Sequence, residues 1–195
     1  MSKIPDYSKA TNAAYYVLEN YTGPYPKVDI FGIISSLPNI SIHTYSETAQ
    51  KFGLSSFQFL SLGSSEHGYT VYNKTQNKWI IFYNNLKDEC TIRFTLAHEL
   101  GHIVLEHKED DYIAKREADC FARNVLCPVP LRVGYGLITV DDYCECFNIS
   151  EPMAAATIHL NSSDNYYITE RNFSNIDNNA YCYLSGCTLA ELYGL

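Results

Sequence analysis

Apolar residues recur at helical spacing near the start of the chain, where Ala10, Ala13, Ala14, Val17 and Leu18 predict a helix over Ser8–Glu19. Gly23-Pro24 and Pro26 break that pattern, and Val28–Ser36 is expected as a second short helix stopped before Pro38. Ile40-Ser41-Ile42 alternates as a strand. From 45 to 68 the pattern weakens: Phe57, Phe59, Leu60 and Leu62 suggest a strand, with turns at Gly53, Gly63 and Gly68. The aromatic and β-branched runs Tyr69–Tyr72 and Trp79–Tyr83 flank the polar stretch Asn73–Lys78 and predict an antiparallel hairpin with an extended loop.

After a polar break at Asn84–Glu89, in which Asp88 can act as a cap, the pattern changes character. Cys90–Glu106 reads as one helix, apolar on nearly every side and therefore buried. Asp110-Asp111 signals the start of another helix reaching about Leu126, where Pro128 and Pro130 halt it. Thr139–Phe147 and Glu151–Leu160 are expected as a helix-turn-helix-like pair around Asn148-Ile149-Ser150. Beyond Asn161 the composition turns to Asn, Ser, Asp and Tyr, so 161–195 is expected to be a C-terminal tail or peripheral lobe to a domain at 1–160.

Composition narrows the function. Lys and Arg number 14 against 22 Asp and Glu, a net charge of −8 that leaves no basic surplus for phosphates and argues against direct nucleic-acid binding. No apolar run approaches membrane-spanning length, because even the most apolar helix carries Arg93, His98, Glu99 and His102. The first residues show no secretory pattern, so a cytoplasmic location is expected, with the 7 cysteines as reduced thiols.

The chemistry concentrates in Phe94-Thr95-Leu96-Ala97-His98-Glu99-Leu100-Gly101-His102-Ile103-Val104-Leu105. On a helix, residues four apart differ by roughly 40° in direction and about 6 Å in height, so His98 and His102 can close on one cation. Glu99, about 100° away, lies beside the site, where it can take a proton from water on that cation. Two neutral imidazoles with an adjacent carboxylate are the equipment of a zinc hydrolase. A third protein ligand is needed. His107 is nine residues past His98, on the opposite helix face, and is expected to be solvated. Lys108 and Leu105 stand where a metzincin would have its third histidine and its glycine. Glu117 is the better choice, because Ala114, Ala118, Phe121, Ala122 and Val125 form an apolar stripe around it. The alternative for Glu117 is an ion pair with Arg116, Lys115 or Arg93. Asp119 is either a surface acid or a group that orients a ligating imidazole.

Arg93 through His102, followed by Glu117-Ala118-Asp119-Cys120-Phe121-Ala122 and a Leu126-x-Pro128 stop, resembles the ImmA/IrrE family of zinc metallopeptidases over residues 8 to about 160. The resemblance implies His98, His102 and Glu117 as ligands of Zn²⁺ and Glu99 as the general base. It also implies an α+β fold, mostly helical, with a small antiparallel β-sheet beside the central H-E-x-x-H helix, similar to a minimal gluzincin-like core. The implied partner is a protein substrate, a helix-turn-helix repressor or other regulatory protein. A catalytically weak module that binds a repressor or antitoxin is the competing reading. The Asn/Tyr-rich tail matches nothing in the family.

Four further features bear on function. Tyr83, Tyr112 or a tail tyrosine could stabilise an oxyanion. An open edge at Trp79–Tyr83 could take an extended peptide as an added strand, the alternative being a covered or core strand. The pair at 139–160 lacks recognition-helix cations, with no Lys or Arg in Glu151–Leu160, which favours packing or protein recognition. Cys144, Cys146, Cys182 and Cys187 could form a structural zinc site, although Cys-x-Cys is not the usual spacing.

Overall fold

Local capping chemistry sets most of the helix starts. In the computed structural model, which describes residues 4–21, 23–61, 65–168 and 174–194, the Asp6 side chain accepts from the Lys9 amide and opens α1 (Tyr7–Glu19). Asp29 does the same for α2 (Ile30–Ser36), which precedes β1 (Ile40–Thr44). The next segment departs from expectation. Instead of a strand around Phe57, Phe59 and Leu60, the chain forms α3 (Tyr45–Lys51) and α4 (Ser56–Ser61); Leu62 and Gly63 lie outside the described residues. The physical reason is capping. Thr44 and Glu47 exchange reciprocal side-chain-to-backbone bonds, and Ser55 and Gln58 do likewise, two capping boxes that outweigh the apolar run.

The expected hairpin is present as β2 (Gly68–Asn73) and β3 (Lys78–Tyr83), antiparallel, with Tyr69 opposite Phe82. The strand order is β1-β3-β2, and β1 runs parallel to β3 with Ile42 opposite Ile81. The sheet is therefore mixed, and Trp79–Tyr83 is its central strand rather than an edge. Ile40–Thr44 has taken that edge through a long-range pairing that local patterning does not signal.

The sheet lies against α5 (Glu89–Val104), which carries the H-E-x-x-H residues and starts at an Asp88 cap. Gly68 makes this contact possible, since a Cβ there would sit 2.5 Å from Thr95 Cγ2 and 2.9 Å from the Phe82 carbonyl. The helix α6 (Tyr112–Leu126) crosses α5 closely. At Gly101 an added Cβ would lie 3.0 Å from Phe121 Cδ1 and 3.2 Å from Ala118 Cα, so the small residues at 101 and 118 set the separation of the two helices. Leu96, Ala97, Leu100, Phe121, Ala122 and Val125 fill this contact and are buried.

Pro128 and Pro130 end α6 but do not end helical structure. Pro130 sits in the first turn of α7 (Val129–Tyr135), where its missing N–H costs nothing. Next come α8 (Val140–Phe147) and α9 (Glu151–Tyr167), joined through left-handed Asn148 and packed together. Arg93 of α5 donates to the carbonyls of Phe147 and Asn148, tying this pair to the core. The helix α9 runs seven residues past Leu160. The reason is Asp164, fully buried, whose carboxylate accepts from Arg123 at 2.6 and 2.8 Å and from Arg132 at 2.9 Å. Finally α10 (Ser174–Ser185) lays Ile176 and Ala180 into the main core, and α11 (Leu189–Tyr193) follows. Among the described residues no helix is long and apolar enough to cross a membrane.

Burial would push the Asp164 carboxyl up, but hydrogen bonds and charge from Arg123 and Arg132 outweigh it and hold its pKa below the ordinary value. A depressed folded pKa stabilises above the unfolded value of about 3.9, and the contribution is lost as pH falls through the folded value. Asp164→Asn is therefore expected to cost about 3–5 kcal/mol, because it leaves two buried guanidinium groups uncompensated. Thermal melts should show a drop on the order of 10 °C at neutral pH that narrows in acid; an unchanged melting temperature contradicts this role.

Candidate metal centre

Helix geometry brings His98 and His102 to one side of α5, as the spacing predicts, with their Nε2 atoms 3.1 Å apart. Each ring is fixed from behind. His98 Nδ1 lies 2.9 Å from Asp119 Oδ1, which makes Asp119 the orienting group among its two expected roles. His102 Nδ1 lies 3.0 Å from Nδ1 of His107, and His107 Nε2 lies 2.9 Å from Glu117 Oε2. Five side chains thus form a continuous row: Asp119, His98, His102, His107, Glu117.

His107 is not the solvated residue its position on a continued helix would make it. The helix α5 ends in a Schellman motif: the Glu106 amide donates to the Ile103 carbonyl at 3.1 Å and the His107 amide to the His102 carbonyl at 3.0 Å. Glu106 adopts φ 58°, a left-handed conformation usually given to glycine. The reversal folds the His107 ring back onto His102, the contact this motif favours between its flanking positions.

The row assigns the protons. A carboxylate only accepts, so the Asp119 contact places a proton on His98 Nδ1 and leaves Nε2 bare. At the other end Glu117 accepts from His107 Nε2–H, so His107 Nδ1 is bare and accepts from His102 Nδ1–H. His102 Nε2 is then bare as well. The His102 pKa is pushed down to about 4, first by burial and then by the His98 and His107 imidazoles, so the ring is neutral at neutral pH. Two lone pairs consequently face each other at 3.1 Å, a repulsive arrangement unless a positive species joins them. Two Zn–N bonds of about 2.0–2.1 Å at the tetrahedral angle would place the nitrogens roughly 3.3–3.4 Å apart. The pair, with both far nitrogens anchored, fits such a cation.

Glu99 sits beneath the pair, buried, with Oε2 accepting from Thr70 Oγ1 at 2.8 Å. Burial raises its pKa; the Thr70 bond, His98 and Lys115 oppose the rise and Asp110 adds to it. Thr70 is on β2, so the sheet aims the carboxylate. Glu117 is not brought to the bare nitrogens, nor does it pair with Arg116, Lys115 or Arg93. Its Oε2 is held by His107, and its Oε1 accepts from the Asp6 amide at 2.7 Å. Asp110 comes nearer, with Oδ1 3.9 Å from His102 Nε2 and Oδ2 3.1 Å from Lys115 Nζ. Among the described residues no three His, Cys, Asp or Glu side chains already surround one point, and the 7 cysteines, including 144, 146, 182 and 187, are free.

Residues 42–129 match the peptidase M78 family model, described as the IrrE N-terminal-like domain. This segment is similar to the ImmA/IrrE family. No curated protein matches the chain. The IrrE-like segment starts within β1 and ends just after α6, so every residue of the row, together with Thr70, Glu99, Asp110 and Lys115, lies inside it. The family is metallopeptidase-like and generally metal-dependent. Thr70 and His107 are the site residues that sequence reasoning missed. Thr70 carries no local signal, since its role depends on strand placement, and His107 is masked by a non-glycine residue at the reversal.

The proton assignment is testable in the metal-free protein. Long-range ¹H–¹⁵N NMR should show His98 and His102 as Nδ1–H tautomers and His107 as the Nε2–H tautomer. An Nε2–H tautomer at His102 contradicts the row.

Proposed function

We propose that the chain is a zinc-dependent peptidase that cleaves a protein substrate, a helix-turn-helix repressor or another regulatory protein of the cytoplasm. The observation that carries this reading is the pair of bare Nε2 atoms 3.1 Å apart beside a buried carboxylate. His98 and His102 would hold the ion through those nitrogens. Bound zinc supplies Lewis acidity, polarising a carbonyl and acidifying water to about neutral pH. Asp119 and His107 keep the two rings aligned. With Oε2 occupied by Thr70, Glu99 presents Oε1 as the atom that takes a proton from the attacking water. Its raised pKa brings it toward the range that suits a general base. An extended substrate can approach along β2, an outer strand whose Thr70 reaches Glu99.

One observation favours the second reading, a weakly catalytic module that binds a repressor or antitoxin. The ammonium of Lys115 is held beside the pair through Asp110, 3.1 Å away, where it opposes a second positive charge. Incubation with a candidate partner, with and without chelator, separates the two: chelator-sensitive fragments support the peptidase, a stable intact complex supports the module.

Glu99→Gln should lower cleavage by about 10²–10⁴-fold while the protein retains one zinc per chain. Undiminished cleavage by that variant contradicts the assignment of the base.

A further inference from the structure

We propose that the cavity between α6 and α9 is a specificity pocket for one large, uncharged apolar side chain of the substrate, close to the cleaved bond. The occupant's role as substrate rests on the peptidase reading above; the pocket's selectivity does not. The cavity measures about 390 Å³, within the range of about 300–1,000 Å³ usual for small-ligand pockets, and its lining is mostly apolar. Met153 of α9 and the Arg123–Asp164 ion pair are its buried floor. Phe94 of α5 and Leu160 of α9 form apolar walls, and Arg116, Pro152 and Ala156 are exposed at its mouth.

Continuity with the imidazole pair ties this cavity to the substrate. Asp119 lines it and holds His98 Nδ1 at 2.9 Å, and the Phe94 ring, another wall, has its centroid 6.1 Å from that of the His98 ring. One imidazole therefore separates the cavity from the bare Nε2. An extended chain advances about 3.3 Å per residue, so a residue one or two positions from the cleaved bond can reach the cavity. Charge then selects the side chain. The floor pair is self-contained, because Arg123 donates to both Asp164 oxygens at 2.6 and 2.8 Å. Glu151–Leu160 brings no Lys or Arg to the wall. On α6, Arg116 and Asp119 are three residues apart and share a face, so the rim offers one cation and one carboxylate with no net charge. A donor beside an acceptor matches the carbonyl and N–H of a peptide unit, and the apolar space beneath matches a neutral side chain.

The sequence contains 2 Met, Met1 and Met153, so methyl-¹³C methionine labelling makes Met153 a reporter inside the cavity. The metal-free protein is titrated with N-acetyl-leucinamide and N-acetyl-phenylalaninamide, and with the glycine and lysine amides for comparison. The apolar amides should shift the Met153 methyl resonance saturably, and the glycine and lysine amides should bind at least about tenfold more weakly. Ala156→Phe, which puts a ring in the mouth, should weaken the apolar amides by at least about tenfold, whereas Ala155→Phe, at an exposed position outside the cavity, should not. The zinc-loaded proteins are then given a proteome-derived peptide mixture, and the cut sites are read by mass spectrometry. Wild type and Ala155→Phe should favour a large apolar residue next to or one removed from the cut, and Ala156→Phe should lose that preference. No saturable shift at Met153, or equal binding of all four amides, overturns the pocket and leaves the peptidase reading standing. Selective binding with the same cut-site preference in both variants overturns the substrate role. Selective binding without any cleavage by wild type overturns the peptidase reading and the substrate role together.

Discussion

Two imidazole nitrogens without protons, held 3.1 Å apart, are the constraint around which the rest is organised. Neither ring can relieve the contact by changing tautomer, because each far nitrogen is locked. Asp119 holds one and the His107–Glu117 couple holds the other. Carboxylates at both ends of the row make the Nδ1–H form of the His98 and His102 rings the one that satisfies every donor and acceptor behind them.

Three features of the backbone deliver this arrangement. Gly101 and Ala118 let α5 and α6 approach closely enough for Asp119 to reach His98. The Schellman turn at Leu105–His107 returns a third imidazole to the site. The sheet, seated on α5 through Gly68, places Thr70 under Glu99. Far from the site, Asp164 pins α9 to Arg123 of α6 and Arg132 of α7, stabilising the helix that carries Glu117 and Asp119.

What the sequence reveals depends on the range of the interaction. His98, Glu99 and His102 are legible because helix periodicity alone puts them together, whereas the sequence leaves Asp119 open between a surface acid and an orienting group, and its contact with His98 decides between them. The capping boxes at Thr44–Glu47 and Ser55–Gln58 are also written in the sequence, yet the Phe and Leu run beside them mimics a strand. His107 is hidden because Glu106 occupies a conformation that sequence reading assigns to glycine. The central place of Trp79–Tyr83 and the role of Thr70 depend on β1 pairing across about forty residues, which no local pattern encodes. The contact of Glu117 with His107 is not legible either, because it is set by the turn that repositions His107.

The most direct measurement of the central claim is a crystal structure of the zinc-loaded protein with diffraction recorded at the zinc absorption edge. The account predicts one anomalous peak about 2.0–2.1 Å from Nε2 of both His98 and His102. Rings joined by a shared proton, with zinc absent or bound elsewhere, would contradict it.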